Sequence, residues 1–226
     1  MTNNIVITGA NRGIGFAMSK IFSQQGHSVY ALCRNSSDKL NKLASQSANV
    51  HVITDVDVAT DGGIAAMTSS LKGLNIDILI CNAGILRDEQ LGNINIETIR
   101  EQFEVNAIAP LRIVDALSRQ FKPGSKVAMI TSRMGSIADN GSGGRYGYRM
   151  SKAALNAAAM SLSKDLQGKN VAVGIFHPGY VQTDMVNNSG DISADESAGK
   201  LVNLILELTM EETGVFKHSN GQVLPW

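Results

Sequence analysis

Apolar residues along the chain gather into six short runs: "NIVIT" (4–8), "SVYALC" (28–33), "VHVIT" (50–54), "IDILIC" (76–81), "KVAMIT" (126–131) and "VAVGIF" (171–176). Each is rich in Val and Ile and has few polar interruptions, which is the pattern of a strand buried on both faces of a sheet. Between the runs the period changes. Segments such as "IGFAMSKIFSQQG" and "TIREQFEVNAIAPLRIVDALSRQF" repeat apolar positions every three or four residues, as amphipathic helices do, and Pro110 should kink or break the second. Towards the end, "SADESAGKLVNLILEL" predicts a helix with Ser193 as N-cap and Glu196 three residues on, the capping-box pattern. The tail "GQVLPW" reads as a last edge strand.

Strand and helix alternate throughout, and each parallel strand pair requires a right-handed crossover of a dozen or more residues. The pattern therefore predicts an α/β fold: a Rossmann-type, doubly wound parallel β-sheet with helices on both faces. No Pro- or Ser-rich linker, low-complexity tract or fixed repeat divides the chain, so residues 1–226 are expected to form a single domain.

Composition narrows the function. At 226 residues and 43% hydrophobic content the chain can bury a substantial core. Its 20 Lys and Arg balance 20 Asp and Glu without runs, so the basic field that gathers nucleic acid is missing from the sequence. No apolar stretch approaches the roughly 18 residues of a membrane span and no basic segment precedes the first strand. No membrane partner and a cytoplasmic location are expected. Cys33 and Cys81 each end an apolar run and are expected to stay free thiols. His27, His51, His177 and His218 are dispersed without ligand spacing, so no metal site is expected. No Gly-x-Ser-x-Gly elbow is present.

The first strand runs directly into "TGANRGIG" (8–15) and then a helix. Gly9 suits the sharp turn, Gly13 the approach of a ligand to the backbone, and Gly15 the packing of helix on strand, while the amides opening the helix form an anion site suited to a pyrophosphate. An ordinary Gly-rich turn shares this composition, but its place after strand one of a βαβ unit points to a dinucleotide. Strand two ends in Cys33 and Arg34 with no acid for a ribose 2′-hydroxyl, and Arg12 lies within the glycine loop. Together the two arginines favour a 2′-phosphate, hence NADP(H).

In "RYGYRMSKAALN" (145–156), Tyr148 and Lys152 stand four apart on one helix face, whereas Tyr146 has Met150 at that spacing. A phenol beside an ammonium is a candidate proton donor of tuned acidity, which singles out Tyr148 and leaves Tyr146 a packing or pocket-wall residue; two partly buried helix tyrosines with satisfied hydroxyls would share this pattern. Arg133, Arg145 and Arg149 lie nearby in sequence; an acidic substrate would suit them, but solvated surface charge is the plainer reading.

These motifs in order resemble the short-chain dehydrogenase/reductase family over essentially the whole chain, and within it the compact C-factor-like and sniffer-like carbonyl reductases. "TGANRGIG" resembles the cofactor loop (Gly9, Asn11, Arg12, Gly13, Ile14, Gly15), and Asp57 with Val58 resembles the adenine-holding pair, with Asp55 and Val56 as a competing alignment. "CNAG" resembles the Asn-Asn-Ala-Gly segment through Asn82, Ala83 and Gly84, Cys81 replacing its first asparagine. Asn106 and Ser132 match the helix asparagine and active-site serine, Tyr148 and Lys152 the Tyr-x-x-x-Lys pair, and Pro178, Gly179, Val181 and Thr183 the segment over the nicotinamide. The resemblance implies NADPH-dependent reduction of an aldehyde or ketone to an alcohol, or the reverse. Tyr148 would be general acid/base, Lys152 would lower its pKa and hold the ribose, Ser132 would bind the substrate oxygen, and Asn106 would position a relay water. It also implies a homodimer or homotetramer through the Asn106 helix and the helix after Tyr148, where Ala153, Ala154, Ala157, Ala158 and Ala159 allow close approach. The segment from Ser132 to Tyr148 looks longer than in many members, and "VNNSGDISADES" leaves little material for a substrate lid. A regulatory or signalling protein that binds NADP(H) with little turnover is the alternative.

Overall fold

The computed structural model describes residues 2–226. The six apolar runs become β1 (Asn4–Thr8), β2 (Ser28–Leu32), β3 (Val50–Ile53), β4 (Ile76–Cys81), β5 (Phe121–Ile130) and β6 (Ala172–His177), with β7 (Phe216–His218) at one edge. All neighbours are parallel, in the order β3-β2-β1-β4-β5-β6-β7. The helices are α1 (Gly13–Gln24), α2 (Asp38–Gln46), α3 (Asp61–Ser70), α4 (Ile96–Phe103), α5 (Ala109–Leu117), α6 (Tyr146–Asp165) and α7 (Ala194–Glu207). No helix is long and apolar enough to cross a membrane among the described residues.

Strand alternation divides the core between two faces. Ile5 and Ile7 of β1 pack with Phe22 of α1 and Leu201 of α7, while Val6 joins Met67 of α3, Ile113 of α5 and Leu155 of α6. Burying a side chain such as Phe22 contributes ~2–3 kcal/mol, so these two layers hold the sheet from both sides. The same alternation separates the thiols: Cys33 belongs to the α1/α7 layer and Cys81 to the opposite one, and both are free. Burial pushes the Cys81 thiol up to about 12, which keeps it protonated and inert.

Three local expectations are refined. The last edge strand is Phe216–His218, not the tail, which folds back on it through a single antiparallel bridge between Lys217 and Val223. The helix before Pro110 widens to a π-turn over Glu104–Ile108 and resumes with Pro110 in the first turn of α5, where a missing N–H is tolerated. Ser193 accepts from Glu196 N at 3.1 Å, but the Glu196 carboxylate turns to Lys200 at 2.8 Å, so the capping box is half made. The order reverses at β1: the chain leaves it towards β2 on one side and β4 lies on the other, which opens a crevice at the strands' C-terminal ends.

Candidate active site

The glycine loop sits in that crevice. Gly9 has φ +66°, and a Cβ there would lie 3.0 Å from Ala83 Cα; a Cβ on Gly15 would overlap the Gly9 carbonyl oxygen. These two absences let α1 start against the ends of β1 and β4. Helices α2, α3, α4 and α7 are capped by Ser37, Thr60, Asn95 and Ser193 respectively. Helix α1 differs: its N-cap is Arg12, which makes no side-chain cap, and its first turn holds no acid. Its opening amides are therefore left for an external anion, and a dinucleotide pyrophosphate fits that need.

Both arginines assigned to a 2′-phosphate lie beside this loop and are ion-paired, Arg12 with the loop after β6 and Arg34 with the segment after β3. Arg12 meets Asp184 at 3.1 Å and Arg34 meets Asp57 at 4.0 Å, with about two thirds of each arginine side chain exposed (69% and 67%). Exposed pairs are worth only ~0–1 kcal/mol, so a phosphate dianion can compete for either guanidinium. Asn11 Nδ2 donates to Asn35 O at 3.0 Å, tying the loop to the end of β2. Of the two competing acids Asp57 is the one paired with Arg34; Asp55 is exposed with φ +62°, and Val56 and Val58 are both core residues. Ile14, Pro178, Gly179, Val181 and Thr183 line the crevice together, and Gly13 faces Thr183 across it.

After β4, Asn82 Nδ2 donates to Thr8 O at 3.0 Å and Gly9 O at 3.3 Å, so its amide clamps β1 to β4. Asn106, fully buried in the π-turn, accepts from Ile85 N and donates to Ile85 O, both at 2.8 Å, and donates to Ser151 Oγ at 3.0 Å. Its side chain is thus a fixed bracket between the β4 loop and α6. Gly84 lies in the gap it frames: a Cβ there would be 3.2 Å from Asn106 Oδ1 and 3.7 Å from Lys152 Nζ. Lys152 is 4% exposed, and its Nζ donates to Ile130 O at 3.0 Å. Burial pulls the ammonium down to about 8, and with one protein acceptor it retains donors for a ligand hydroxyl.

Ser132 follows β5, and its Oγ accepts from Met134 N at 3.1 Å. Tyr148, in the first turn of α6, is 8% exposed and faces the same cavity of about 350 Å³ as Ser132. Here one expectation is corrected. The Tyr148 hydroxyl lies above its ordinary value because desolvation dominates; the Ser132 hydrogen bond and the Arg145 charge oppose it, and Lys152 is not among the groups that lower it. Lys152 Nζ stands 5.8 Å from the Tyr148 ring centroid, over the ring and bonded to Ile130 O. Four-residue spacing delivered adjacency, and burial reversed the sign. Tyr146 is half-buried at the start of α6 and does not line the cavity.

Arg133, Arg145 and Arg149, read from sequence as solvated surface charge, all line this cavity, as does His177 at the end of β6. Burial holds His177 down to about 3, so its ring is neutral near pH 7. The long segment before Tyr148 supplies Asp139 and Ser142 to the wall, and the short stretch after Gly179 supplies Met185 and Val186 through a loop closed by the Val181 to Ile192 bridge. The sequence also gave no notice of Thr131, whose hydroxyl donates to Asn156 Oδ1 at 2.7 Å behind Lys152, because its run reads only as strand.

The model of the short chain dehydrogenase family matches residues 3–193. The 1-hydroxy-2-glutathionyl-2-methyl-3-butene dehydrogenase of Rhodococcus sp. (strain AD45) is 34% identical over 230 residues, covering 99% of this chain and 100% of that protein. Among solved structures, an NADPH-bound carbonyl reductase from chicken fatty liver superposes with TM-score 0.91 at 29% identity, covering 100% of this chain and 99% of that one. The carbonyl reductase Sniffer of D. melanogaster gives TM-score 0.91 at 29% identity, covering 100% of each chain. With the glycine loop, the reversed strand order and this match across most of its length, the chain belongs to the short-chain dehydrogenase family.

Proposed function

We propose that residues 1–226 act as one NADP(H)-dependent carbonyl reductase domain, interconverting an aldehyde or ketone and its alcohol. The observation that carries this reading is that Ser132 and Tyr148 share one cavity beside the uncapped start of α1, with buried Lys152 over the Tyr148 ring. The chicken carbonyl reductase, through its matching fold and bound NADPH, and the Rhodococcus dehydrogenase, through its sequence likeness, support the reading.

The opening amides of α1 would hold the pyrophosphate, Arg12 and Arg34 the 2′-phosphate, Asp57 and Val58 the adenine, and Asn82 to Gly84 with Pro178 to Thr183 the nicotinamide half. When bound, the nicotinamide supplies or accepts the hydride. Tyr148 donates its hydroxyl proton to the substrate oxygen in the reducing direction and takes it back in the other. Burial holds the Tyr148 hydroxyl above its ordinary value, which keeps that proton in place at neutral pH. Ser132 Oγ steadies the same oxygen. The Lys152 ammonium would hold the ribose, while Asn106 fixes the backbone through which a relay water would reach Lys152.

We place the protein in the cytoplasm as a homodimer or homotetramer joined through α4 and α6, which show Ile96 and Met150 to solvent. Light scattering at micromolar concentration tests the assembly. The activity is tested by NADPH consumption across a panel of aldehydes and ketones. Sustained turnover supports the reading; NADPH binding with no carbonyl consumed would replace it with a regulatory role.

A further inference from the structure

The cavity wall beyond Tyr148 is cationic. Arg133, Arg145 and Arg149 line it against a single carboxylate, Asp139. Asp139 takes its hydrogen bond from Arg133, and Arg145 reaches outward to Asp88 at 3.3 Å. Arg149 makes no ion pair among the described residues: its Nε donates to Gly143 O at 3.3 Å and one Nη to Ser142 Oγ at 2.8 Å. These neutral acceptors fix the guanidinium without cancelling its charge, and three of its five N–H donors remain for a ligand. The same cavity wall also carries apolar Leu86, Met134 and Met185. A ligand matched to the cavity therefore has a reacting end at Tyr148 and Ser132, an apolar part and a negative end.

We propose that the preferred substrates carry a carboxylate several bonds from the reacting carbon, bound by Arg149 with Arg145 beside it. A carboxylate fits better than a phosphate because one guanidinium is unpaired, which balances a monoanion, and because its planar fork accepts two parallel N–H bonds. The inference rests on the carbonyl reductase reading and adds the substrate class to it. Arg149 follows Tyr148 directly in α6, so the fold that places the proton donor also places the anion receptor.

The test compares ω-oxo carboxylic acids of increasing chain length with their methyl esters, under saturating NADPH, by kcat/KM. At the best chain length the acid should exceed its ester by about tenfold or more, the range of a charge-assisted hydrogen-bonded contact. In Arg149→Gln that ratio should fall towards one, and in Arg149→Lys it should survive in part. Esters turned over as well as acids at every length, or an undiminished ratio in Arg149→Gln, would overturn the inference. The wild-type ratio decides the matter even if the variants fold poorly. If no carbonyl is reduced at all, the reductase reading fails separately, and calorimetric titration of acids and esters into NADP⁺-loaded protein decides the rest: binding of acids alone upholds the anion site, and equal or absent binding rejects it.

Discussion

Glu89 Oε2 accepts the backbone N–H of Gly147 at 3.1 Å, at the second residue of the helix that carries Tyr148 and Lys152. That helix has no cap of its own, because its N-cap Arg145 sits at φ +50° and its side chain makes no capping bond. Glu89 supplies the cap from the loop after β4. It is 2% exposed; its Oε1 accepts from Thr98 Oγ1 at 2.8 Å and Gln102 Nε2 at 2.7 Å, and its carbonyl accepts Arg145 N at 2.8 Å. The contact needs glycine at 147, where a Cβ would overlap Gln102 Nε2. Glu89 is thus a positioning residue for Tyr148.

Glu89→Ala leaves the buried Gly147 N–H without an acceptor, while Thr98 Oγ1 and Gln102 Nε2 keep Asn95 O and Thr98 O, and should destabilise the protein by on the order of 1–3 kcal/mol in urea unfolding. It should also lower kcat more than it raises the KM for NADPH. Glu89→Gln, which keeps shape and one acceptor, should recover part of both. An unchanged unfolding midpoint in Glu89→Ala would show that the cap carries no weight.

The strands and the glycine loop were readable because their signals are local: Val- and Ile-rich runs, and glycines placed directly after β1. Tyr148 and Lys152 were readable as neighbours for the same reason. What was not readable depends on residues distant in sequence. Nothing near Glu89 announces that it caps a helix 58 residues on. Arg149 looks like any helix-surface cation until the loop at Ser142 folds over it. The sign of the Tyr148 pKa shift depends on burial, which a four-residue spacing does not encode. β7 is three residues long with Lys and His in it, too short and polar to register as a strand.

Lys152 should be a cost to the fold. Its pKa falls from 10.5 to about 8 on burial, so at pH 7 the folded protein holds a charge it would rather shed. That drop corresponds to about 3 kcal/mol. The sign follows: both states are protonated below about 8, and stability rises as pH climbs towards 10.5, where only the unfolded state keeps the proton. Lys152→Met should therefore abolish turnover yet stabilise the protein at pH 7, by on the order of 1–3 kcal/mol after Ile130 O loses its donor. A destabilised variant would mean that the ammonium contributes net stability through that bond.

Acid should act partly through His177. Its folded-state pKa of about 3 lies far below the ordinary 6.5, so the unfolded chain binds the extra proton. The contribution is present above about pH 6.5 and is lost as pH falls towards 3, at up to ~1.4 kcal/mol per pH unit. His177→Phe should flatten the decline of the unfolding free energy between pH 6.5 and pH 4, whereas an equal slope in both proteins would place the proton uptake elsewhere.

Arg34 and Arg12 should set cofactor choice. Each is held only by one carboxylate, half-buried Asp57 for Arg34 and exposed Asp184 for Arg12, so each can turn to a 2′-phosphate. Arg34→Ala should lower the NADPH to NADH ratio of kcat/KM by about tenfold or more, the scale of one charge-assisted contact, and Arg12→Ala should add to it. Wild-type protein that uses both cofactors equally would refute the assignment.

The two tyrosines at the start of α6 give the sharpest separation. Tyr148 is buried, lines the cavity with Ser132 and lies below the Lys152 ammonium; Tyr146 is half-buried and lines nothing there. Removing one hydroxyl should remove the proton donor, and removing the other should change only packing. Tyr148→Phe is expected to keep NADPH binding, measured by fluorescence titration, while losing ~10²–10⁴-fold in kcat, the range for a lost general acid. Tyr146→Phe should stay within a few fold of wild type. Because burial holds the Tyr148 proton above its ordinary value, the oxidising direction should speed up as pH rises and the reducing direction should not. Comparable losses in the two variants, or an active Tyr148→Phe, would move the proton donor to another residue of the cavity.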